Sequence, residues 1–177
     1  DKKGNVSFKD YTYNLDANNY FYPASTIKFP IAILALEKLN TIKNTSVNTE
    51  YQIEGNNVKL KFSEEISKVF AVSDNVASTN LFEFVGFDYM NQKMKDKGLS
   101  PFRMSHRLSG TNPSSPFVKS TKTFKDDNSV EIFPSKVNQS AIPLDLNGIK
   151  KGIGYINGED KLVNEPFDFS KRNYYPL

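Results

Sequence analysis

Tyr22-Pro23-Ala24-Ser25-Thr26-Ile27-Lys28-Phe29 opens the most apolar stretch of the chain, which runs on through Ile31, Ala32, Ile33, Leu34, Ala35, Leu36 and Leu39. Apolar residues fall nearly all round a helical wheel here, the pattern of a helix buried in a core. Pro30 would remove a helical hydrogen bond beyond the first turn, so the helix is expected to start close to Ser25. Residues three apart on a helix share a face, which puts the Ser25 hydroxyl within reach of the Lys28 amine. Such a pair suits a serine made nucleophilic by lysine rather than by histidine. At the head of a helix Ser25 would also sit by free backbone N–H groups, where developing negative charge is favoured. A plainer assignment makes Ser25 or Thr26 a helix cap and turns Lys28 outward. Spacing alone does not choose, because about two Ser-x-x-Lys matches are expected by chance in this composition.

Further along, Ser73-Asp74-Asn75 interrupts two helical patterns. Before it, Ser63 with Glu64 and Glu65 reads as a capped first turn, and Ile66, Val69 and Phe70 share a face. After it, Val76, Ala77, Asn80, Leu81, Phe84 and Val85 keep helical spacing until Gly86 supplies a stop. The triplet therefore lies on a tight link between helices, and its chance expectation is about 0.1. Taken alone, it is also compatible with an ordinary polar helix-helix turn.

Together the two motifs resemble the active-site serine hydrolases that include class A β-lactamases and penicillin-binding proteins, over roughly Val6 to Asn112. The resemblance implies that Ser25 is the acylated serine and Lys28 its proton-relay lysine. It implies that Ser73 relays a proton to the leaving nitrogen and that Asn75 holds the substrate amide and the lysine. Class A enzymes carry an R-L-x-x-x-E-P stretch whose glutamate activates the deacylating water. Here the stretch is Arg107-Leu108-Ser109-Gly110-Thr111-Asn112-Pro113, with Asn112 where the glutamate would be. An amide does not accept a proton as a carboxylate does, so acylation with weak deacylation is expected unless a carboxylate such as Asp145 supplies the base.

The implied fold is α+β, a helical domain joined to an antiparallel sheet. The family's K-T-G or K-S-G triad is absent, and Lys150-Lys151-Gly152 is its nearest approximation. The chain stops at Tyr174-Tyr175-Pro176-Leu177 before the family's later strands. It is therefore expected to be the N-terminal portion of a β-lactamase-like domain that a C-terminal segment would complete. The substrate implied is a small-molecule β-lactam or peptidoglycan-like amide, and the location implied is periplasmic or otherwise exported.

The coarse organisation over 1–177 is a strand at 6–15, a helical core at 25–98 with a polar break at Thr41 to Leu60, and an irregular region at 99–177. In that last region Asn157-Gly158 marks a hairpin between Ile153–Ile156 and Lys161–Val163. A hydrophobic content of 38% and an aromatic content of 13% suffice for a core, and the net charge of +3 comes from scattered lysines with no nucleic-acid motif. Lys93, Lys95 and Lys97 read as a solvated helix face. The chain has no cysteine and a single histidine, His106, so a Ser-His-Asp triad, a zinc site and any other metal or cofactor are not expected. No apolar run reaches the length of a membrane span. The competing class is a non-catalytic binding or scaffold module that keeps the fold. In such a module Tyr20, Phe21, Tyr22, Phe167, Phe169, Tyr174 and Tyr175 would line a groove.

Overall fold

The computed structural model describes residues 6–13, 16, 21, 23–99, 102–110, 112–141, 148–157 and 159–168. Most of the aromatic residues just named, Tyr20, Tyr22, Phe169, Tyr174 and Tyr175, lie outside the described residues, as does Asp145. The apolar run enters as one 3-10 turn, Ala24–Ile27, and continues as α1, Lys28–Leu39. Pro30 thereby falls among the first four residues of α1, whose N–H groups have no acceptor within an α-helix, and the conflict its position raised disappears. Ile31, Ala32, Leu34, Ala35 and Leu39 are buried, while Phe29 and Ile33 are exposed, so α1 is wrapped on most but not all of its circumference.

Two short strands, β1 (Glu50–Ile53) and β2 (Leu60–Lys61), occupy the segment expected to be a polar break. Helix α2 (Phe62–Val72) begins one residue ahead of the expected cap at Ser63, whose hydroxyl donates instead to Asn48 Oδ1 at 3.1 Å. Helices α3 (Asn75–Val85) and α4 (Phe87–Asp96) follow, and α3 packs against both α1 and α2. Gly86 separates α3 from α4 with φ of 79°, a conformation that suits glycine.

After β3 (Phe117–Val118), β4 (Thr121–Phe124) and β5 (Val130–Phe133) complete an antiparallel sheet of order β2-β1-β4-β5, with Tyr51 opposite Thr123. Tyr51 and Ile53 alternate inward with Thr121 and Thr123 of the neighbouring strand, as a one-sided sheet requires. The Tyr51 ring stacks on Phe62 at 4.2 Å, Phe62 meets Phe84 edge-on at 4.8 Å, and Phe84 meets Phe133 at 5.4 Å. This aromatic column joins the sheet to α2 and α3, and the architecture is α+β.

The remaining strands form two-stranded pairs: β3 with β6 (Lys136–Val137), β7 (Lys150–Lys151) with β10 (Phe167–Asp168), and β8 (Tyr155–Ile156) with β9 (Leu162–Val163). The last is the expected hairpin, and Asn157 Oδ1 accepts the N–H groups of Glu159 and Lys161 across its turn. The strand expected over 6–15 is not formed within residues 6–13, where Val6, Phe8, Tyr11 and Tyr13 are all exposed, and Leu15 lies outside the described residues. Alternating apolar residues make a strand only where a neighbouring edge takes up their backbone groups. No helix among the described residues is long and apolar enough to cross a membrane.

Candidate active site

Lys28, the first residue of α1, is 3% exposed. Its Nζ donates to the Ser73 carbonyl and, at 2.9 Å, to Ser73 Oγ. Burial lowers the pKa of this amine below the ordinary lysine value, an effect only partly opposed by the charge of Asp74. Ser25 lies in the 3-10 turn immediately before, and the Lys28 backbone N–H bonds back to the Ser25 carbonyl. Side chains at i and i+3 eclipse in a 3-10 helix, so the turn brings the Ser25 and Lys28 positions to one face of the backbone. Ser25 is exposed, and among the described residues its hydroxyl has no hydrogen-bond partner. The hydrogen bonds of the amine go to Ser73, and none joins it to the Ser25 hydroxyl.

Backbone strain gathers at the same place. Ala24 has φ of 45° and Ser73 φ of 55°, whereas the other non-glycine residues at positive φ among the described residues are Asn44, Asn128 and Asp160, types that tolerate it. For alanine and serine the left-handed conformation costs about 1–2 kcal/mol each. Such strain concentrates where a side chain must be aimed. Ser73 stops α2 and Asp74 caps α3, its Oδ1 accepting the Ala77 N–H at 2.8 Å. That backbone bond, with help from Val76, Lys68 and Lys28, holds the Asp74 carboxyl below the usual range. Asp74 thus ties down the link between the helices.

Asn75 opens α3 with its side chain exposed, and its carbonyl accepts from Thr79 Oγ1 at 2.9 Å and Ser109 Oγ at 3.3 Å. The Thr79 and Ser109 hydroxyls lie 2.8 Å apart. Ser109 belongs to the loop that also carries Asn112, and buried Arg107 anchors that loop. Arg107 donates to Glu83 at 2.6 Å, to the Ser115 carbonyl at 2.8 Å and to the Phe117 carbonyl at 2.5 Å. Glu83 in turn accepts the Lys119 N–H, so one buried ion pair pins both ends of the loop to α3.

Asn112 itself is exposed and uses its carbonyl for the Ser115 N–H, while its side chain makes no hydrogen bond to Lys28 or Ser73. The loop residue that meets the head of α3 is Ser109. Neither Ser109 nor Thr79 was singled out in the sequence. The available signals were a hydroxyl two residues after Arg107 and another one helical turn after Asn75. Lys150 and Lys151 stand in β7 beside β10. His106 donates its Nδ1–H to the neighbouring Arg107 carbonyl at 2.9 Å and takes no part in the Lys28–Ser73 arrangement.

No curated protein and no solved structure matches the chain. A family model described as the Beta-lactamase enzyme family matches residues 6–130, well over half of the sequence. The matched span holds the 3-10 turn, α1, the α2–α3 link and the anchored loop. On that match, with Lys28 and Ser73 joined across it, the chain belongs to the β-lactamase enzyme family.

Proposed function

We propose that the protein is a serine acyl-transfer hydrolase acting on β-lactams or peptide-like amides through an ester on Ser25. The observation that carries this reading is the Lys28 amine, buried and held by the hydroxyl and carbonyl of Ser73 one 3-10 turn above Ser25. A neutral amine has two N–H groups and one lone pair. With both N–H groups directed at Ser73, the lone pair remains to accept the Ser25 proton. Burial favours this neutral form. Ser25 Oγ then attacks the amide carbon, forming the C–O bond as the C–N bond breaks. The proton taken by Lys28 returns through Ser73 Oγ to the departing nitrogen, so the balance needs no other reactant.

Asn75, at the head of α3 beside Ser73, is placed in this reading to hold the substrate amide. Deacylation is slow because Asn112, exposed on its loop, offers an amide where a general base would be required. Intact-mass spectrometry with benzylpenicillin tests the reading. A stable adduct of one penicillin per chain, absent in Ser25→Ala, is expected. Rapid steady-state turnover of nitrocefin would remove the slow-deacylation part, and no adduct under any condition would remove the whole.

A binding module that keeps the fold without the chemistry is the second reading. It is favoured by one observation, that the hydrogen bonds of Lys28 run to Ser73 and not to Ser25. Reversible, adduct-free binding of the same penicillin would select it.

A further inference from the structure

We propose that a groove on the reverse side of α1 binds a single-chain amphiphile, an apolar tail lying along α1 with an anionic head at Lys97. The groove encloses about 370 Å³, within the range of small-molecule sites. Its walls are Ile27, Pro30, Ile33 and Leu34 from the 3-10 turn and α1, Met94 from α4, and Phe102. Thr26 also lines it, but its hydroxyl is spent on the Pro23 carbonyl at 2.6 Å. Apart from Thr26 and Lys97 the wall is apolar, so most hydrogen-bonding groups of a sugar, nucleotide or peptide would go unmatched there, whereas a hydrocarbon loses nothing. Phe29 and Leu99 also line the groove and are 60% and 49% exposed, as is Ile33 at 40%, so apolar surface extends to the rim.

Charge at the mouth selects the head. Lys97 lines the groove with its side chain 44% exposed, and it shares one carboxylate with Lys93: the two amines stand 2.7 and 3.5 Å from Glu37. These lysines hold the Glu37 carboxyl below the usual range, so it stays ionised and the trio carries one surplus positive charge. The C-terminal end of α4 contributes about half a negative charge, which leaves the balance positive. An anionic head gains from this and a cationic one loses. The groove is separate from the proposed acylation site, since Thr26, Pro30 and Ile33 occupy the side of the helix opposite Ser25 and Lys28.

Isothermal titration of the whole chain with octanoate, decanoate and dodecanoate, each below its micelle-forming concentration, tests the assignment. One dodecanoate per chain is expected, with affinity rising roughly two- to fourfold per methylene. Lys97→Gln should weaken dodecanoate by up to about fivefold, the scale of an exposed ion pair, and leave dodecanol within about twofold. Ile33→Trp, which fills the groove, should abolish both while leaving the urea midpoint near that of the parent. The chain-length series on the parent decides the matter if that variant does not fold. Absent or non-saturable binding, no dependence on tail length, or equal binding of dodecyltrimethylammonium would overturn the proposal. A concentration-dependent dimer in place of dodecanoate binding would identify a second copy as the occupant and overturn it equally.

Discussion

Replacing Lys38 by methionine asks how this fold tolerates a cation in its interior. Lys38 sits in the last turn of α1, donates to the Phe84 carbonyl, and has its Nζ 4.4 Å from the Phe133 ring centroid, 4.5 Å from Phe84 and 5.6 Å from Tyr89. Burial, helped by the charge of Lys136, lowers its pKa from 10.5 to about 8. A base whose pKa is lower in the folded protein than in the unfolded chain binds fewer protons when folded. Stability therefore rises with pH between about 8 and 10.5, and the penalty is at full size below 8. The difference corresponds to about 3 kcal/mol. The two nearer ring faces, Phe84 and Phe133, favour the charged form by about 0.5–1 kcal/mol each, which brings the net penalty to about 1–2 kcal/mol. Tyr51, whose pKa is raised by burial and by Glu65, gives the opposite slope once unfolded tyrosines begin to ionise near 10. The useful window therefore closes near pH 9.5. Urea unfolding followed by circular dichroism from pH 7 to about 9.5 should show the parent gaining about 1 kcal/mol over Lys38→Met across the upper part of that range. Parallel pH profiles for the two proteins would refute the reasoning.

Arg107→Met leaves Glu83 charged and buried without its partner, for a loss of about 3–5 kcal/mol and a thermal midpoint roughly 10 °C lower by differential scanning calorimetry. Tyr51→Phe deletes a buried hydroxyl that has no hydrogen-bond partner among the described residues, so urea unfolding should show it neutral to about 2 kcal/mol more stable; a clear loss would mean the hydroxyl is bonded after all. Ala24→Gly relieves the positive φ at the turn before Ser25, and the relief outweighs the added freedom of the unfolded chain, giving a gain of about 0.5–1 kcal/mol in the same assay.

The parts legible in the sequence were those whose signals are local. The buried α1, the break at Ser73-Asp74-Asn75, the stop at Gly86 and the hairpin at Asn157 all follow from periodicity or turn chemistry within a few residues. Strand β1 was hidden because only Tyr51 and Ile53 mark it, and its ladder partner β4 lies some seventy residues away. The segment 6–13 misled for the complementary reason: alternation states which face would be apolar, not whether a partner strand is present. At the site, spacing led to the expectation that Ser25 and Lys28 share a helix face. The Lys28–Ser73 bonds, by contrast, depend on how α1 packs against the α2–α3 link. Ser109 and Thr79 meet only through the loop that Arg107 anchors, and no sequence window holds both.

Ser73 stands in the left-handed region at the end of α2, and this turns both its carbonyl and its hydroxyl toward one amine. Glycine would adopt that backbone readily but has no hydroxyl, and threonine keeps the hydroxyl but crowds the backbone at Cβ. Serine is the smallest side chain that satisfies both demands. The position is consequently intolerant in two independent ways, and a substitution there should expose which of the two, chain reversal or proton handling, the molecule depends on more.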